Sequence, residues 1–469
     1  MKLGGSVTAA PSGRRAVPPL LVASLLIGTM LNPINSSLIA TALTPIGRAL
    51  HVSSAQTAWL VACLYLVAAV AQPLMGRLAD LFGPRRVFQF GLSVALLGGV
   101  IGGLAPSLPW LIVSRMLIGL GTSAGYPCAI TLLRRHAEQS GQPTPPTTLA
   151  AITVANQITA IVGPTLGGLL VGSVGWRAVF LINVPVTLLG LGLAFMKLPR
   201  DGRPAAFRTL GRSLDLPGVG LFSVALTSLM LFLMQLHPAP LYGWLGLSVV
   251  SFAALYAVER RTPAAFLDVR MLAGNRPLLL TYLRQALTAL ITYSIFYGLP
   301  QWLQEARSFT PTQTGLVLLP TSAVSIVCAL LVARLPQLRL HGLLVIGAAL
   351  QVVCMVLYAA VPQVASLWLL IGVSLLLGIP WGLTNFANQQ TLYAQAPREG
   401  AGSAAGLFRT FNYLGSIASS SVIGFTFRPS ATTAGFQSLT WVLVATSVLT
   451  LLVTLLRDPV VAVPHDSPA

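Results

Sequence analysis

The chain has 469 residues, of which 55% are hydrophobic and only 8% carry a charge. A soluble globular domain carries roughly a quarter of its residues as charged side chains, so this composition excludes one. The net charge of +18 does not indicate nucleic-acid binding, because the basic residues form short clusters between apolar runs rather than one face or stripe. The composition predicts an integral membrane protein.

Apolar stretches long enough to cross a bilayer, which takes ~20 residues, follow one another along almost the whole chain. We count about fourteen, at roughly 18–42, 57–75, 87–107, 109–132, 149–172, 178–196, 216–235, 241–258, 277–299, 313–333, 342–361, 365–387, 402–425 and 437–456. The first is too long for a signal peptide and lacks a small-residue cleavage site, so we expect a retained span. The predicted fold class is all-α.

Two long basic connections divide the predicted spans into six, two and six. This pattern predicts two six-helix bundles with an inserted helix pair, a recurring plan of transporters. The predicted segments are a tail at 1–17, a bundle at 18–196, a linker at 197–215, the inserted pair at 216–258, a linker at 259–276, a second bundle at 277–456 and a tail at 457–469.

The 28 Lys and Arg residues are shared unequally between the two sides that alternating spans would create. Most lie in one set of connections and in the two tails. The opposite set holds only Arg48, Arg177, Arg307 and Arg428. The positive-inside rule then places both termini in the cytoplasm, and we expect a multi-pass protein of a cell membrane, in particular a bacterial inner membrane.

Two predicted spans carry clusters of polar side chains. In the first span these are Asn32, Asn35 and Ser36, beside a proline at 33. In the twelfth they are Asn385, Asn388 and Gln389. Polar breaks at mid-membrane are typical of transporter substrate sites, so we expect both clusters to line a cavity; amides that only join neighbouring helices are the alternative.

Three arginines fall within predicted spans. Arg115 lies about six residues, or ~9 Å, into its span, where a charge is costly unless it faces a polar cavity or a partner. We therefore expect Arg115 to face the cavity. Arg284 and Arg409 lie nearer span ends. For each of them two alternatives remain: the side chain faces the cavity, or it extends to the lipid headgroups.

Two short motifs suit conformational change. The turn after the second span runs Gly76-Arg77-Leu78-Ala79-Asp80-Leu81-Phe82-Gly83-Pro84-Arg85-Arg86. Its Asp80 can accept hydrogen bonds at a helix end, Gly83 suits a tight turn, and the arginine pair holds the loop inside. The fifth span contains Gly163-Pro164-Thr165-Leu166-Gly167-Gly168, where spaced glycines let another helix approach closely and the proline loosens the backbone; a packing face alone is an equal alternative.

These motifs, with Leu299-Pro300-Gln301-Trp302 and Gly402-Ser403-Ala404-Ala405-Gly406 further along, resemble the major facilitator superfamily and, within it, the fourteen-span drug:proton antiporters of multidrug efflux. The resemblance covers nearly the whole chain, and the motif of the fifth span implies an exporter. Three features depart from the family pattern. Leu81 and Pro84 replace basic residues, Ile118 replaces a glutamine, and Asn35 stands where the family has a membrane aspartate.

Our leading interpretation is a secondary active transporter that exports small amphipathic or hydrophobic compounds by alternating access. A transporter of one specific neutral or anionic metabolite, with weak or no proton coupling, is the alternative. A membrane enzyme or a channel is a remote one, because the five histidines fall in connections or the tail and form no metal or acid–base set. We expect no enzymatic activity, metal, cofactor or nucleic acid; the expected partners are a small-molecule substrate, the bilayer and, as an open question, protons.

The positions of the acidic residues bear on proton coupling. None of the ten lies in the core of a predicted span. Nine belong to the inner side or the tail: Asp80, Glu138, Asp201, Asp215, Glu259, Asp268, Glu399, Asp458 and Asp466. A proton carrier needs a group that titrates, and recognition of a cation in low dielectric usually needs an opposing charge. We hypothesise a neutral or anionic substrate, with any proton coupling confined to rim groups such as Asp80 or the outer Glu305.

Overall fold

The computed structural model describes residues 18–140, 146–202, 215–235, 241–262, 274–333, 340–360, 367–395, 401–428 and 430–456. Within these ranges every regular element is helical. The predicted tails at 1–17 and 457–469 and most of both linkers lie outside the described residues. The prediction of an all-α fold is confirmed.

Within the described ranges, fourteen helical segments correspond to the predicted spans, and we number them α1 to α14. They are α1 Pro19–Thr41, α2 Ser54–Phe82, α3 Pro84–Leu104, α4 Leu108–Ala137, α5 Pro146–Ser173, α6 Ala178–Lys197, α7 Leu216–Met234, α8 Tyr242–Glu259, α9 Arg276–Glu305, α10 Pro311–Ala333, α11 Leu340–Ala360, α12 Leu367–Gln395, α13 Ala401–Thr426 and α14 Thr433–Leu455. Twelve are long and apolar enough to cross a membrane. The other two, α5 and α13, have 28 and 26 residues.

Local sequence explains where these helices begin and where they bend. At the start of α2, the side chain of Ser53 accepts a hydrogen bond from the Gln56 amide, and the Gln56 side chain accepts one from the Ser53 amide. This reciprocal capping box satisfies two amides that the helix itself cannot. Within α1, Pro33 breaks the backbone ladder, and the hydroxyls of Ser36 and Ser37 donate to its carbonyl oxygen at 2.9 and 2.7 Å.

The helices pack as two groups with a pair at their margin. Helices α1 to α6 contact one another, and so do α9 to α14. The two groups meet along a seam in which α5 packs on α10 and α2 packs on α13. Helices α7 and α8 pack together, and α7 touches both α2 and α13, so the inserted pair lies beside one edge of this seam.

Because consecutive spans alternate in direction, α1 begins and α14 ends on one side, which we call the terminal face; the opposite side is the far face. Large apolar side chains such as Leu104, Met196 and Trp368 are 75%, 74% and 80% exposed on the outside. Such surfaces would be costly in water but suit lipid. Polar side chains concentrate inside, where they line the seam or join helices.

Candidate functional site

A cavity of about 380 Å³ lies between the two helix groups. Its walls come from α1, α2 and α5 on one side and from α9, α10, α12 and α13 on the other. The residues on α5 and α13 that line it, such as Asn156 and Asn412, lie in the halves of those helices nearer the terminal face. The cavity is therefore displaced from the far face.

Neutral polar groups and aromatic rings dominate its lining. The amides are Asn32, Asn156, Gln285, Asn385, Gln389 and Asn412. Among the described lining residues Arg409 is the one charged side chain, and no carboxylate is present. The buried Oδ1 of Asn156, the hydroxyls of Thr288 and Thr292, and Nε1 of Trp381 have no hydrogen-bond partner within the described part of the chain. Buried polar groups normally find partners, so these atoms are available to a ligand or to water.

Four tyrosines close the end of the cavity toward the far face. The Tyr65 ring lies 5.2 Å from the Tyr293 ring and 5.8 Å from the Tyr413 ring, and Tyr293 stacks on Tyr297 at 5.9 Å. The hydroxyls of Tyr65 and Tyr297 are 2.8 Å apart, and Tyr297 donates to the Ser36 carbonyl oxygen at 2.7 Å. This cluster joins α1, α2, α9 and α13 and offers flat apolar surface with polar edges.

Five residues singled out from the sequence line this cavity, namely Asn32, Ser36, Asn385, Gln389 and Arg409. The guanidinium carbon of Arg409 lies 3.8 Å from the centroid of the Tyr126 ring on α4. A cation over an aromatic face is favourable, so Arg409 connects the two helix groups on the terminal side of the cavity and does not extend toward headgroups.

Asn35, in contrast, lies behind the cavity wall and is 2% exposed. Its Nδ2 donates to Asn183 Oδ1 at 2.6 Å, and Asn183 Nδ2 donates to Asn35 Oδ1 at 2.8 Å. The two amides thus satisfy each other between α1 and α6. The expectation that Asn35 lines the cavity does not match this geometry, because the reciprocal pair turns the side chain into its own bundle.

Arg115 also lies inside the first bundle rather than in the cavity lining, and it is 1% exposed. Its Nε donates to the Leu60 carbonyl oxygen at 2.8 Å and its Nη1 to the Asn35 carbonyl oxygen at 2.9 Å. Arg115 therefore ties α4 to α2 and α1 through backbone oxygens. A charged side chain this deep in a membrane span needs polar partners. Arg115 finds them in backbone oxygens of its own bundle, so its side chain does not face the cavity.

Arg284 and Asn388 form a buried pair in the second bundle, 3% and 0% exposed. Arg284 Nε donates to Asn388 Oδ1 at 2.6 Å, and Asn388 Nδ2 donates to Gln285 Oε1 at 3.2 Å. Gln285 Nε2 in turn donates to Asn412 Oδ1 at 2.9 Å. Arg284 does not reach the headgroups; a chain of amides links it to Gln285 and Asn412, which line the cavity.

The turn between α2 and α3 is organised by an aspartate that the sequence did not single out for this role. The oxygens of Asp201, which follows α6, accept hydrogen bonds from the backbone amides of Arg85 and Arg86 at 3.3 and 2.9 Å. Gly83 has φ of 100°, and a Cβ there would collide with Asp201. The Asp201 carboxylate at the start of α3 interacts favourably with the positive end of the helix dipole. Asp80, the acidic residue of the motif itself, is exposed.

Asp201 extends this arrangement to α4, since Arg135 Nη1 lies 3.6 Å from its Oδ1. Gly76, at the other end of the motif, sits where a Cβ would touch Pro127 of α4 at 3.6 Å. The loop motif thus packs α2, α3 and α4 together at the terminal face.

The glycines of α5 allow it to approach two helices closely. A Cβ at Gly163 or Gly167 would overlap α1, and one at Gly168 would overlap the first carbonyl of α10. Thr165 Oγ1 donates to the Gly315 carbonyl oxygen at 3.0 Å, in the turn that follows Pro164. This part of α5 therefore closes the seam toward the far face.

Several contributors to the site escaped the sequence argument. Asn183 was visible in the sequence as the one amide side chain of the sixth predicted span, two residues before Pro185. The sequence did not indicate that the cavity is lined by Asn156, Gln285 and Trp381. One polar or aromatic side chain per helix turn does not reveal which face of the helix meets the opposite bundle.

Comparisons with known proteins agree with this arrangement. The sequence pattern of the family described as "Major Facilitator Superfamily" matches residues 25–420 of this chain. The chain is 33% identical over 432 residues to an uncharacterised MFS-type transporter, YwoD, of Bacillus subtilis, covering 90% of this chain and 92% of that protein. It is 29% identical to the tetracenomycin C resistance and export protein of Streptomyces glaucescens, covering 88% and 76%, and 28% identical to the multidrug resistance protein Stp of Mycobacterium tuberculosis, covering 85% and 74%.

Solved structures with the same fold include a bacterial homologue of the human lysosomal transporter Spinster in an inward-facing, occupied conformation. Its TM-score is 0.65 at 15% identity, over 93% of this chain and 96% of that one. The nucleoside transporter NupG gives 0.61 at 13% identity, over 93% and 99%. The resemblance found in the sequence is confirmed: the chain belongs to the major facilitator superfamily and is a multi-pass membrane transporter, not an enzyme.

Proposed function

We propose that this transporter exports small amphipathic or hydrophobic compounds by alternating access of the cavity between its bundles. The observation that carries the proposal is the cavity lining, which combines aromatic surface with amides and hydroxyls and holds no carboxylate among its described residues. Such a surface can hold apolar bodies of different shapes and orient a few polar atoms. Relatives named for resistance and export support the direction of transport.

Both termini are cytoplasmic in this proposal, because the basic residues gather on that side. The terminal face is then the inner face, and the cavity lies near the cytoplasm in an inward-facing state. A substrate would enter from the cytoplasm or the inner leaflet. The far-side contacts of α5 with α10 would then have to separate before release outside.

A second candidate is the transport of one specific neutral or anionic metabolite, with weak or no proton coupling. It is favoured by the charge in the cavity, where Arg409 has no opposing carboxylate among the described lining residues. An acidic group on a substrate could pair with this guanidinium in two-point contact. A cation would meet repulsion there and no compensating anion.

Transport by the purified protein in liposomes tests the proposal, with a panel of neutral, anionic and cationic amphipathic compounds. Ala329→Trp should abolish flux of accepted compounds, since Ala329 lines the cavity and an indole would fill much of its volume. Leu330→Trp is the matched control, because Leu330 is 49% exposed on the outside. Equal flux through both variants, or no flux of any compound through the wild type, would contradict the proposal.

A further inference from the structure

Glu305 occupies an unusual position at the last residue of α9, on the far face. Its Oε1 accepts hydrogen bonds from Thr44 Oγ1 at 3.3 Å and from Ser54 Oγ at 2.9 Å. Its Oε2 accepts one from the backbone amide of Ala431 at 2.6 Å. Thr44 and Ser54 belong to the first bundle, whereas Ala431 lies in the connection between α13 and α14. The carboxylate therefore joins α9 to two segments of the first bundle across the seam, and it ties the connection between α13 and α14 to the end of α9 within the second bundle.

The surroundings make this carboxylate the centre of the far-side closure. Next to it, Arg48 Nη2 donates to the Gln304 carbonyl oxygen at 2.8 Å, and Gln304 Nε2 donates to the Thr41 carbonyl oxygen at 3.1 Å. A second cavity, of about 690 Å³, lies over these groups and includes Glu305 in its lining. Solvent on the far side can thus reach the carboxylate while the main cavity stays closed to that side.

The hydrogen bonds at Glu305 depend on its charge. An ionised carboxylate only accepts, which matches the amide and the two hydroxyls around it. A protonated carboxyl must donate from one oxygen. The backbone amide of Ala431 cannot accept a hydrogen, so the proton belongs on Oε1, which is the oxygen that Thr44 and Ser54 contact across the seam. Charge-assisted hydrogen bonds are also about twice as strong as neutral ones. Proton binding therefore weakens the contacts that join the two bundles here.

Other charged groups on the same segments define what else could respond to pH. They are Arg48 and His51 from the connection between α1 and α2, Arg307 after α9, and Arg428 after α13. The three arginines add positive charge on this side. His51 lines the same cavity, and positive charge at that position would favour the ionised carboxylate and closure.

We infer that Glu305 is a proton-binding site that controls the far-side opening: the ionised form holds the two bundles together, and the protonated form releases them. The proton arrives from the far-side solution and can return there, so the transporter responds to pH on that side without carrying the proton across. This role goes beyond the proposed function and does not depend on the substrate.

Distances between spin labels on the full-length protein in lipid bilayers test the inference. Cysteines replace the exposed Ala49 and Ala434, one on each bundle at the far side, in a variant whose four native cysteines are changed to serine or alanine. Acidification should lengthen the wild-type distance and shift the ratio of open to closed forms by about tenfold or more, as expected for loss of one charge-assisted bond. Glu305→Gln should be open at both pH values.

Three further variants separate the alternatives. His51→Asn and Arg307→Gln should keep the acid response, since the carboxylate remains. Ser54→Ala should also respond to acid, but its ratio of open to closed forms at neutral pH should already be higher than that of the wild type, because one bond across the seam is missing. Loss of the response in His51→Asn would assign proton binding to the histidine and overturn the inference. A wild type that ignores pH, or a Glu305→Gln variant that still closes at neutral pH, would overturn it as well.

Discussion

The reciprocal amide pair between α1 and α6 gives the sharpest test of the revised role of Asn35. Asn35→Ala removes both amide bonds and leaves the buried Asn183 side chain with only its bond to the Phe180 carbonyl oxygen, at 3.0 Å. An unsatisfied buried polar group costs about 1–3 kcal/mol. We therefore expect Asn35→Ala and Asn183→Ala each to lower the free energy of unfolding by about 2 kcal/mol.

The double variant should be less destabilised than the sum of the two, because it leaves no unpaired amide behind. Interhelical hydrogen bonds in membranes contribute about 0.6–2 kcal/mol each, so two bonds predict a coupling energy of about 1–4 kcal/mol. Unfolding of the purified protein in mixed micelles, followed by circular dichroism, would measure this cycle. Additive losses would refute the pairing, and a transport defect in Asn35→Ala without any loss of stability would return Asn35 to the substrate path.

Three other changes probe the cavity and the seam. Asn35→Asp should not create proton-driven uptake of a lipophilic cation in proteoliposomes, because the new carboxylate would lie beside Arg115 and away from the cavity; a gain of uptake would contradict this placement. Gly168→Ala should slow transport by about tenfold or more, since its Cβ meets a carbonyl of α10 and overpacking costs about 1–3 kcal/mol. Gly192→Ala, where a Cβ meets nothing within 4 Å, should keep the wild-type rate. Arg409→Gln should reduce flux of an anionic compound by about tenfold and spare a neutral one of similar size; equal losses would instead indicate that the contact of Arg409 with α4 is structural.

The helices could be predicted from the sequence because length and hydropathy are properties of continuous segments. A span needs a run of apolar residues whatever it packs against, so α1 to α14 follow the predicted stretches closely. The close approach of another helix to α5 was also foreseeable, since Gly163 and Gly167 lie one turn apart, although the glycines do not identify α1 as that helix. Their local pattern carries the information without reference to the rest of the chain.

The division of polar residues between cavity and helix contacts could not be predicted in the same way. Asn32 and Asn35 are three residues apart, yet the first lines the cavity and the second faces Asn183, which is 148 positions further along the chain. Arg284 and Asn388 likewise satisfy each other across two helices. Which face of a helix meets the cavity depends on its rotation within the bundle, and that rotation is set by partners far away in sequence.

The volume of the main cavity has a thermodynamic consequence. About 380 Å³ is room for about a dozen water molecules, since each occupies about 30 Å³ in the liquid. A compound that fills this space must displace them, and the tyrosine rings then lose their hydration. Burial of apolar surface lowers the heat capacity, so the enthalpy of binding should become more favourable as the temperature rises, and most steeply for the largest compounds that fit.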